Sequence, residues 1–131
     1  MKVMVVDDEL VSRIKLARIL SDLGVCHQFD SGKEAISVFE KALVEKQPYQ
    51  LVTLDISMPD TDGLEVLNRF RQLENDYDVP DEKKTKIVMV TSQTERDSIL
   101  SAIAESCSDY IIKPFERVKI AERLKRLGID L

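Results

Sequence analysis

The chain has 131 residues, the size of one domain, and 44% of them are hydrophobic while 33% are charged, as in an ordinary soluble globular protein. Its net charge of −5 and the lack of a basic stripe argue against direct nucleic-acid binding. We expect no signal peptide, and no uncharged stretch approaches the ~20 apolar residues of a membrane span. The cysteines Cys26 and Cys107 lack zinc-ligand spacing, so we predict reduced core thiols in a cytoplasmic protein.

Short apolar runs alternate with helical patterns along the chain. The runs predict strands at about residues 2–6, 25–29, 50–54, 86–91 and 109–112. The first helix is predicted at about 9–23. The second begins at a cap at Asp30 or Ser31 and ends before Pro48, and the third follows the loop 56–63. The fourth is predicted at about 95–106, and the fifth begins after Phe115 and ends before Gly128. The polar segment from Glu74 to Lys86 contains Pro80 and predicts an extended surface loop.

The helical periodicity also predicts which side chains face the core. In the first helix these are Leu10, Ile14, Ala17 and Leu20. In the other helices they are Ala35, Ile36, Phe39 and Leu43; Val66, Leu67, Phe70 and Leu73; Ile99, Ala102 and Ile103; and Ile120, Ala121, Leu124 and Leu127. Five strands alternating with five helices predict an α/β fold with a doubly wound five-stranded parallel sheet. The strand runs are almost entirely apolar, as expected when helices cover both faces.

Charged and hydroxyl side chains follow the predicted strands at their carboxyl ends. Asp7 and Asp8 follow the first strand, Asp55 the third, Thr91 ends the fourth and Lys113 follows the fifth. Ligands of such sheets bind outside these strand ends. Three ionised carboxylates would repel one another there, and a hard divalent cation such as Mg²⁺ would relieve the repulsion. A carboxylate free to attack, a metal, a lysine and a hydroxyl together indicate phosphoryl transfer to an aspartate.

Taken singly, these residues have simpler interpretations. An aspartate after a strand often forms a turn or caps a helix, and Lys113 could form a structural ion pair. Asp62 lies in the turn after Asp55, and we assign it to the turn before Gly63. We expect Gly63 to adopt a backbone conformation that other residues avoid. His27 is predicted to be a strand residue with a local hydrogen bond.

The motifs together resemble the receiver domain of two-component response regulators. The resemblance rests on Asp7-Asp8, on Asp55 in the sequence DISMPDTDG, on Thr91, and on Tyr110 followed by Lys113-Pro114-Phe115. It covers essentially the whole chain and implies a flavodoxin-like three-layer sandwich with strand order 2-1-3-4-5.

The resemblance also implies a role for each site residue. Asp55 would accept a phosphoryl group from a histidine kinase or phosphotransfer protein. Asp8, Asp55 and the backbone carbonyl of Ser57 would bind Mg²⁺ directly, with Asp7 acting mainly through water. Lys113 would pair with the phosphoryl group. Thr91 and Tyr110 would form a switch that alters the face made by the last two predicted helices and the fifth strand.

Several functional alternatives remain at this point. Residues 1–131 are expected to form one receiver domain without an output domain, catalysing only its own phosphorylation and dephosphorylation and acting on an unknown downstream protein. The rival is a receiver cut from a longer regulator with a DNA-binding or enzymatic output domain. An aspartyl-phosphate hydrolase would need a second acid at Ser57, and Pro59 disfavours a calcium loop. Phosphorylation-dependent dimerisation stays open.

Overall fold

The computed structural model describes residues 1–92 and 106–131. Its strands are β1 (Lys2–Val6), β2 (Val25–Phe29), β3 (Leu51–Asp55), β4 (Lys86–Ser92) and β5 (Asp109–Lys113). Its α-helices are α1 (Leu10–Leu20), α2 (Gly32–Val44), α3 (Gly63–Asp76) and α4 (Arg117–Arg126), with short 3₁₀ turns at Ser21–Leu23 and Asp81–Lys83. The helix predicted at 95–106 lies, except for Ser106, outside the described residues.

All strand pairs are parallel, and the sheet order is β2-β1-β3-β4-β5, which confirms the predicted fold class and order. The register places Asp55 beside Val90 and Ser92 beside Lys113. The carboxyl ends of β1, β3, β4 and β5 therefore meet at one edge of the sheet. This edge is the one at which ligands of open α/β sheets bind.

Helices cover both faces of the sheet, giving three layers. One core lies under α1 and α4 and includes Val5, Leu16, Leu20, Val88, Ile120 and Leu124. The other lies under α2 and α3 and includes Met4, Phe39, Leu54, Phe70 and Met89. Because both faces of the central strands are covered, all residues of β3 are buried. No helix in the described parts of the chain is long and apolar enough to cross a membrane.

Helix α1 differs from its prediction in length and in orientation. It ends at Leu20, and Ser21–Leu23 form a 3₁₀ turn. Leu10 and Ile14, expected in the core, are 57% and 37% exposed, whereas Leu16 is fully buried. Apolar residues lie on two sides of this helix, so periodicity alone could not identify the side that packs on the sheet.

The segment predicted as a surface loop is partly helical and partly buried. Helix α3 continues to Asp76, and the side chain of Glu74 is fully buried. Its carboxylate accepts hydrogen bonds from Arg71 at 2.7 Å and from the backbone N–H of Thr85 at 2.8 Å. The surface-loop prediction was wrong here because a charged residue whose charge is paired and hydrogen-bonded can be buried.

Candidate functional site

Three carboxylates converge at the carboxyl edge of the sheet. Asp7, Asp8 and Asp55 each offer an oxygen, and these oxygens lie within 4.8 Å of one another. Asp7 is 1% exposed and Asp55 5% exposed, whereas Asp8 is exposed. The cluster is therefore embedded in the protein on one side and accessible on the other.

The ends of β1 and β3 hold two of these carboxylates in place. The backbone N–H of Asp7 donates to the carbonyl of Phe29 at 3.0 Å. The side-chain Oδ1 of Asp7 accepts a hydrogen bond from the N–H of Glu9 at 2.9 Å. Asp55 is the last residue of β3, and its Oδ1 lies 3.3 Å from the donating N–H of Ser57. Backbone hydrogen bonds thus orient both side chains toward the same point.

Lys113, the last residue of β5, supplies the positive charge of the site. Its Nζ lies 3.2 Å from Asp7 Oδ2 and 3.4 Å from Asp55 Oδ2. Burial lowers the pKa of Lys113, but the charges of Asp55 and Asp7 outweigh it and leave the pKa above its ordinary value. The lysine is therefore protonated and compensates part of the buried negative charge.

The protonation of Asp55 is strongly affected by its surroundings. Burial, followed by the negative charge of Asp7, raises its pKa to about 7, although Lys113 and the Ser57 N–H act in the opposite direction. The ionised form is thus disfavoured in the metal-free protein. A further cation at this point would favour the ionised carboxylate.

The loop after Asp55 is anchored at two helix starts. Asp62 caps α3, because its carboxylate accepts the N–H of Leu64 at 3.0 Å, in agreement with its assignment to the turn before Gly63. The carboxylate of Asp60 accepts hydrogen bonds at the start of α2 from the Ser31 hydroxyl at 2.9 Å and the Gly32 N–H at 3.3 Å. We had not predicted this role of Asp60, since a turn aspartate carries no sequence signal for a distant helix.

Gly63 is needed for a reason other than the predicted one. Among the described residues, the glycines with positive φ are Gly24 and Gly128. A Cβ on Gly63 would instead collide with the carbonyl oxygen of Asp55 and lie 2.5 Å from the Cα of Ile56. The glycine therefore permits close packing of α3 against the end of β3.

An open cleft of about 510 Å³ lies beside the carboxylates. It is lined by Asp8, Ile56, Ser57, Met58, Pro59 and Asp62. Ser57 is exposed on its wall. The cleft gives a ligand or a partner side chain access to the acidic cluster.

The two residues predicted to form a switch lie on β4 and β5. Thr91 is 2% exposed, and its hydroxyl donates to the Ser92 carbonyl at 3.2 Å. Tyr110 is half-buried on β5 and is paired in register with Met89. The guanidinium of Arg123 lies 4.6 Å from the centre of the Tyr110 ring, a contact with no local sequence signal.

His27 and the cysteines lie outside the carboxylate cluster. His27 lies on β2, as predicted, and its Nδ1 is 2.6 Å from the hydroxyl oxygen of Tyr49, a partner 22 positions along the chain and not the local one expected. Cys26 and Cys107 are free thiols and half-buried, less buried than core residues. Burial is the main cause that raises the pKa of each thiol, so both are poor nucleophiles at neutral pH.

The family model of the response regulator receiver domain matches residues 3–125. The chain belongs to this family. A curated relative, the chemotaxis protein CheY of Listeria monocytogenes, is 29% identical over 128 residues, which cover 96% of this chain and 97% of the relative. The transcriptional regulatory protein ResD of Bacillus subtilis is 33% identical over 96% of this chain and 47% of its own length.

Solved structures of other receiver domains share the fold. The receiver domain of the histidine kinase CKI1 from Arabidopsis thaliana, crystallised in complex with Mg²⁺, superposes with a TM-score of 0.81 and 25% identity, covering 96% of this chain and 90% of that one. The beryllofluoride-activated DrrB receiver domain superposes with a TM-score of 0.72 and 25% identity, covering 97% and 96%. The present chain is thus a receiver domain of two-component signalling.

Proposed function

We propose that this receiver domain takes a phosphoryl group onto Asp55, with Mg²⁺ held by the acidic cluster, and thereby controls the binding of a partner protein. The observation that carries the proposal is the convergence of Asp7, Asp8 and Asp55 beside the ammonium of Lys113. No single element of the fold would require this combination of charges at one strand edge.

The donor set fits Mg²⁺. Carboxylate oxygens are hard ligands, and Mg²⁺ binds to proteins through a few of them while keeping several waters. In our proposal Asp8, Asp55 and the backbone carbonyl of Ser57 bind the ion directly, and Asp7 acts mainly through water. When bound, the ion neutralises charge on the phosphoryl oxygens during transfer.

The proposed reaction is an in-line displacement on phosphorus. An ionised Asp55 oxygen attacks the phosphoryl group of a phosphohistidine on a histidine kinase or phosphotransfer protein. A P–O bond to Asp55 forms while the P–N bond breaks, and its electron pair stays on the leaving imidazole, which then takes a proton from solvent. Asp55 must be deprotonated to attack, so a nearby cation, which would lower its raised pKa, would increase the fraction of the protein able to react.

Lys113 and Thr91 would act on the phosphoryl group once it is attached. The Lys113 ammonium lies 3.4 Å from Asp55 Oδ2 in the unmodified protein, within reach of an oxygen added there. The Thr91 hydroxyl, now donating to a backbone carbonyl, would turn toward the phosphoryl group. Movement of Thr91 would allow Tyr110 to change its rotamer and alter the face of β5 and α4, to which we also assign the helix predicted at about 95–106.

The same module serves in proteins of different lengths. The alignment with this chain covers 97% of the length of CheY of Listeria monocytogenes but only 47% of the length of ResD. We propose that this chain acts as a phosphorylation-controlled binding module for a downstream protein. Dimerisation through the altered surface is a second way in which the same signal could act.

Intact-mass measurement after incubation with acetyl phosphate and Mg²⁺ tests the proposal. We expect the gain of one phosphoryl group in the wild-type protein and in Asp62→Asn, which changes the same type of residue in the adjoining turn. Asp55→Asn should gain none. If folded, Mg²⁺-bound wild-type protein gains no mass, Asp55 is not the phosphoacceptor.

A further inference from the structure

We propose that Arg123 on α4 is a positioning residue that holds Tyr110 in its present orientation, so that α4 influences the switch directly. The inference rests on the proposed function of Tyr110 as a two-state residue. It adds to that function a residue from another element, 13 positions further along the chain.

Arg123 contacts Tyr110 both directly and through Asp109. Its guanidinium lies 4.6 Å from the centre of the Tyr110 ring, within the distance of a cation–π contact. Its Nη1 also donates to Asp109 Oδ1 at 3.1 Å. The same oxygen accepts the backbone N–H of Tyr110 at 2.8 Å. One carboxylate thus connects the arginine with the backbone of the residue on whose ring the arginine packs.

The surroundings make this arrangement specific for arginine. The side chain of Asp109 is 10% exposed and that of Arg123 is 27% exposed, so the ion pair is only partly accessible to solvent. A planar guanidinium can stack on a ring with its face while its edge donates hydrogen bonds. Lysine has a single ammonium and cannot do both with the same geometry.

Helix α4 holds the arginine at a defined position. Leu124, the next residue, and Ile120, one turn earlier, are both fully buried against the sheet. Arg123 therefore projects from an anchored helix onto the ring at the edge strand β5. Because contacts made in only one of two states favour that state, this contact biases Tyr110 toward the orientation seen here.

The consequence is a reciprocal coupling between α4 and Tyr110. A partner that binds α4 and draws Arg123 away from the ring would release Tyr110, and a change of the Tyr110 rotamer would free Arg123 for a partner. Arg123 thus links the surface offered to partners with the switch residue.

¹⁹F NMR of protein labelled with 3-fluorotyrosine tests the inference. The chain has three tyrosines, and Tyr110→Phe identifies the Tyr110 signal. In the metal-free, unphosphorylated protein, Arg123→Met should lower the ratio of the present Tyr110 orientation to the alternative orientation by about two- to fivefold. This is the range expected for the loss of one cation–π contact. Asp109→Asn keeps an oxygen for the Tyr110 N–H but loses the ion pair, and it should shift the signal in the same direction.

Arg126→Met is the matched control. Arg126 is exposed in the last turn of the same helix, so its variant loses the same charge without touching the ring, and its Tyr110 signal should equal that of the wild type. Arg123→Lys should lie between wild type and Arg123→Met. If Arg123→Met and Asp109→Asn both leave the Tyr110 signal unchanged, Arg123 does not position Tyr110.

A separate arm tests the proposed function on which the inference rests. Beryllofluoride with Mg²⁺ should shift the Tyr110 signal of the wild-type protein. If it does not, Tyr110 is not a phosphorylation switch, whereas the comparison of the free variants still decides whether Arg123 holds the ring.

Discussion

The ammonium of Lys113 lies 3.4 Å from the carboxylate of Asp55. This ion pair lowers the pKa of Asp55, yet burial and the charge of Asp7 outweigh it and raise the pKa to about 7. One lysine therefore does not compensate two buried carboxylates. The metal-free site is under electrostatic strain, and this strain has measurable consequences for stability.

Asp55→Asn should stabilise the metal-free protein at pH 8 by on the order of 4 kcal/mol, because the pKa of Asp55 rises from near 4 to about 7 on folding and each pKa unit corresponds to about 1.4 kcal/mol. A carboxyl whose pKa is raised on folding contributes stability below its unfolded pKa, near 4, and loses that contribution as the pH rises through about 7. Above pH 7 the ionised Asp55 therefore lowers the free energy of unfolding of the wild-type protein by its full amount. The advantage of Asn should shrink as the pH falls from 7 to 4, as measured by urea unfolding with a metal chelator.

Asp130→Asn is the control for the loss of one negative charge, because Asp130 is exposed near the end of the chain. It should change stability little at any pH. An equal gain for Asp55→Asn at pH 4 and pH 8 would contradict the raised pKa of Asp55.

Asp8→Asn should weaken Mg²⁺ binding by at least about tenfold, because changes outside the direct ligands of a metal already cost about 10–100-fold. Asp8 is exposed, so the fold should tolerate the change. Isothermal titration calorimetry measures the affinity, and Asp130→Asn again serves as the control. Unchanged affinity in Asp8→Asn would exclude Asp8 as a ligand.

Arg71→Met should destabilise the protein by about 3 kcal/mol, since it leaves the fully buried carboxylate of Glu74 without its cation. The exposed pair of Lys41 and Glu45 is the comparison. Lys41→Met should cost at most about 0.5 kcal/mol. Urea unfolding at pH 7 separates the two cases, and equal costs would show that the buried pair is not a major stabilising contact.

Gly63→Ala should destabilise the protein more than Gly128→Ala and also weaken Mg²⁺ binding. A methyl group at Gly63 forces the backbone of Asp55 and Ile56 to move, whereas at Gly128 nothing lies within 4 Å and the φ of +79° is the only cost. That cost is about 1 kcal/mol. Urea unfolding and calorimetry test both variants, and a smaller loss for Gly63→Ala would refute the packing explanation.

The sequence by itself determined the alternation of strands and helices and hence the parallel sheet. It also brought Asp7, Asp8, Asp55 and Lys113 to one edge, because parallel strands place their carboxyl ends together and each of these residues lies at or just after the end of a strand. These features depend on local periodicity and chain direction, and both can be read directly from the sequence. The roles of these residues in phosphorylation remain predictions.

The tertiary structure alone decided which surfaces and contacts these elements make. Leu10 and Ile14 are exposed because α1 has two apolar sides and only the sheet selects one. Glu74 is buried because the N–H of Thr85 reaches its carboxylate from outside the helix, and Arg123 packs on Tyr110 because α4 lies beside β5. Each outcome depends on a partner outside the residue's own local pattern, and such partners become neighbours only when the chain has folded.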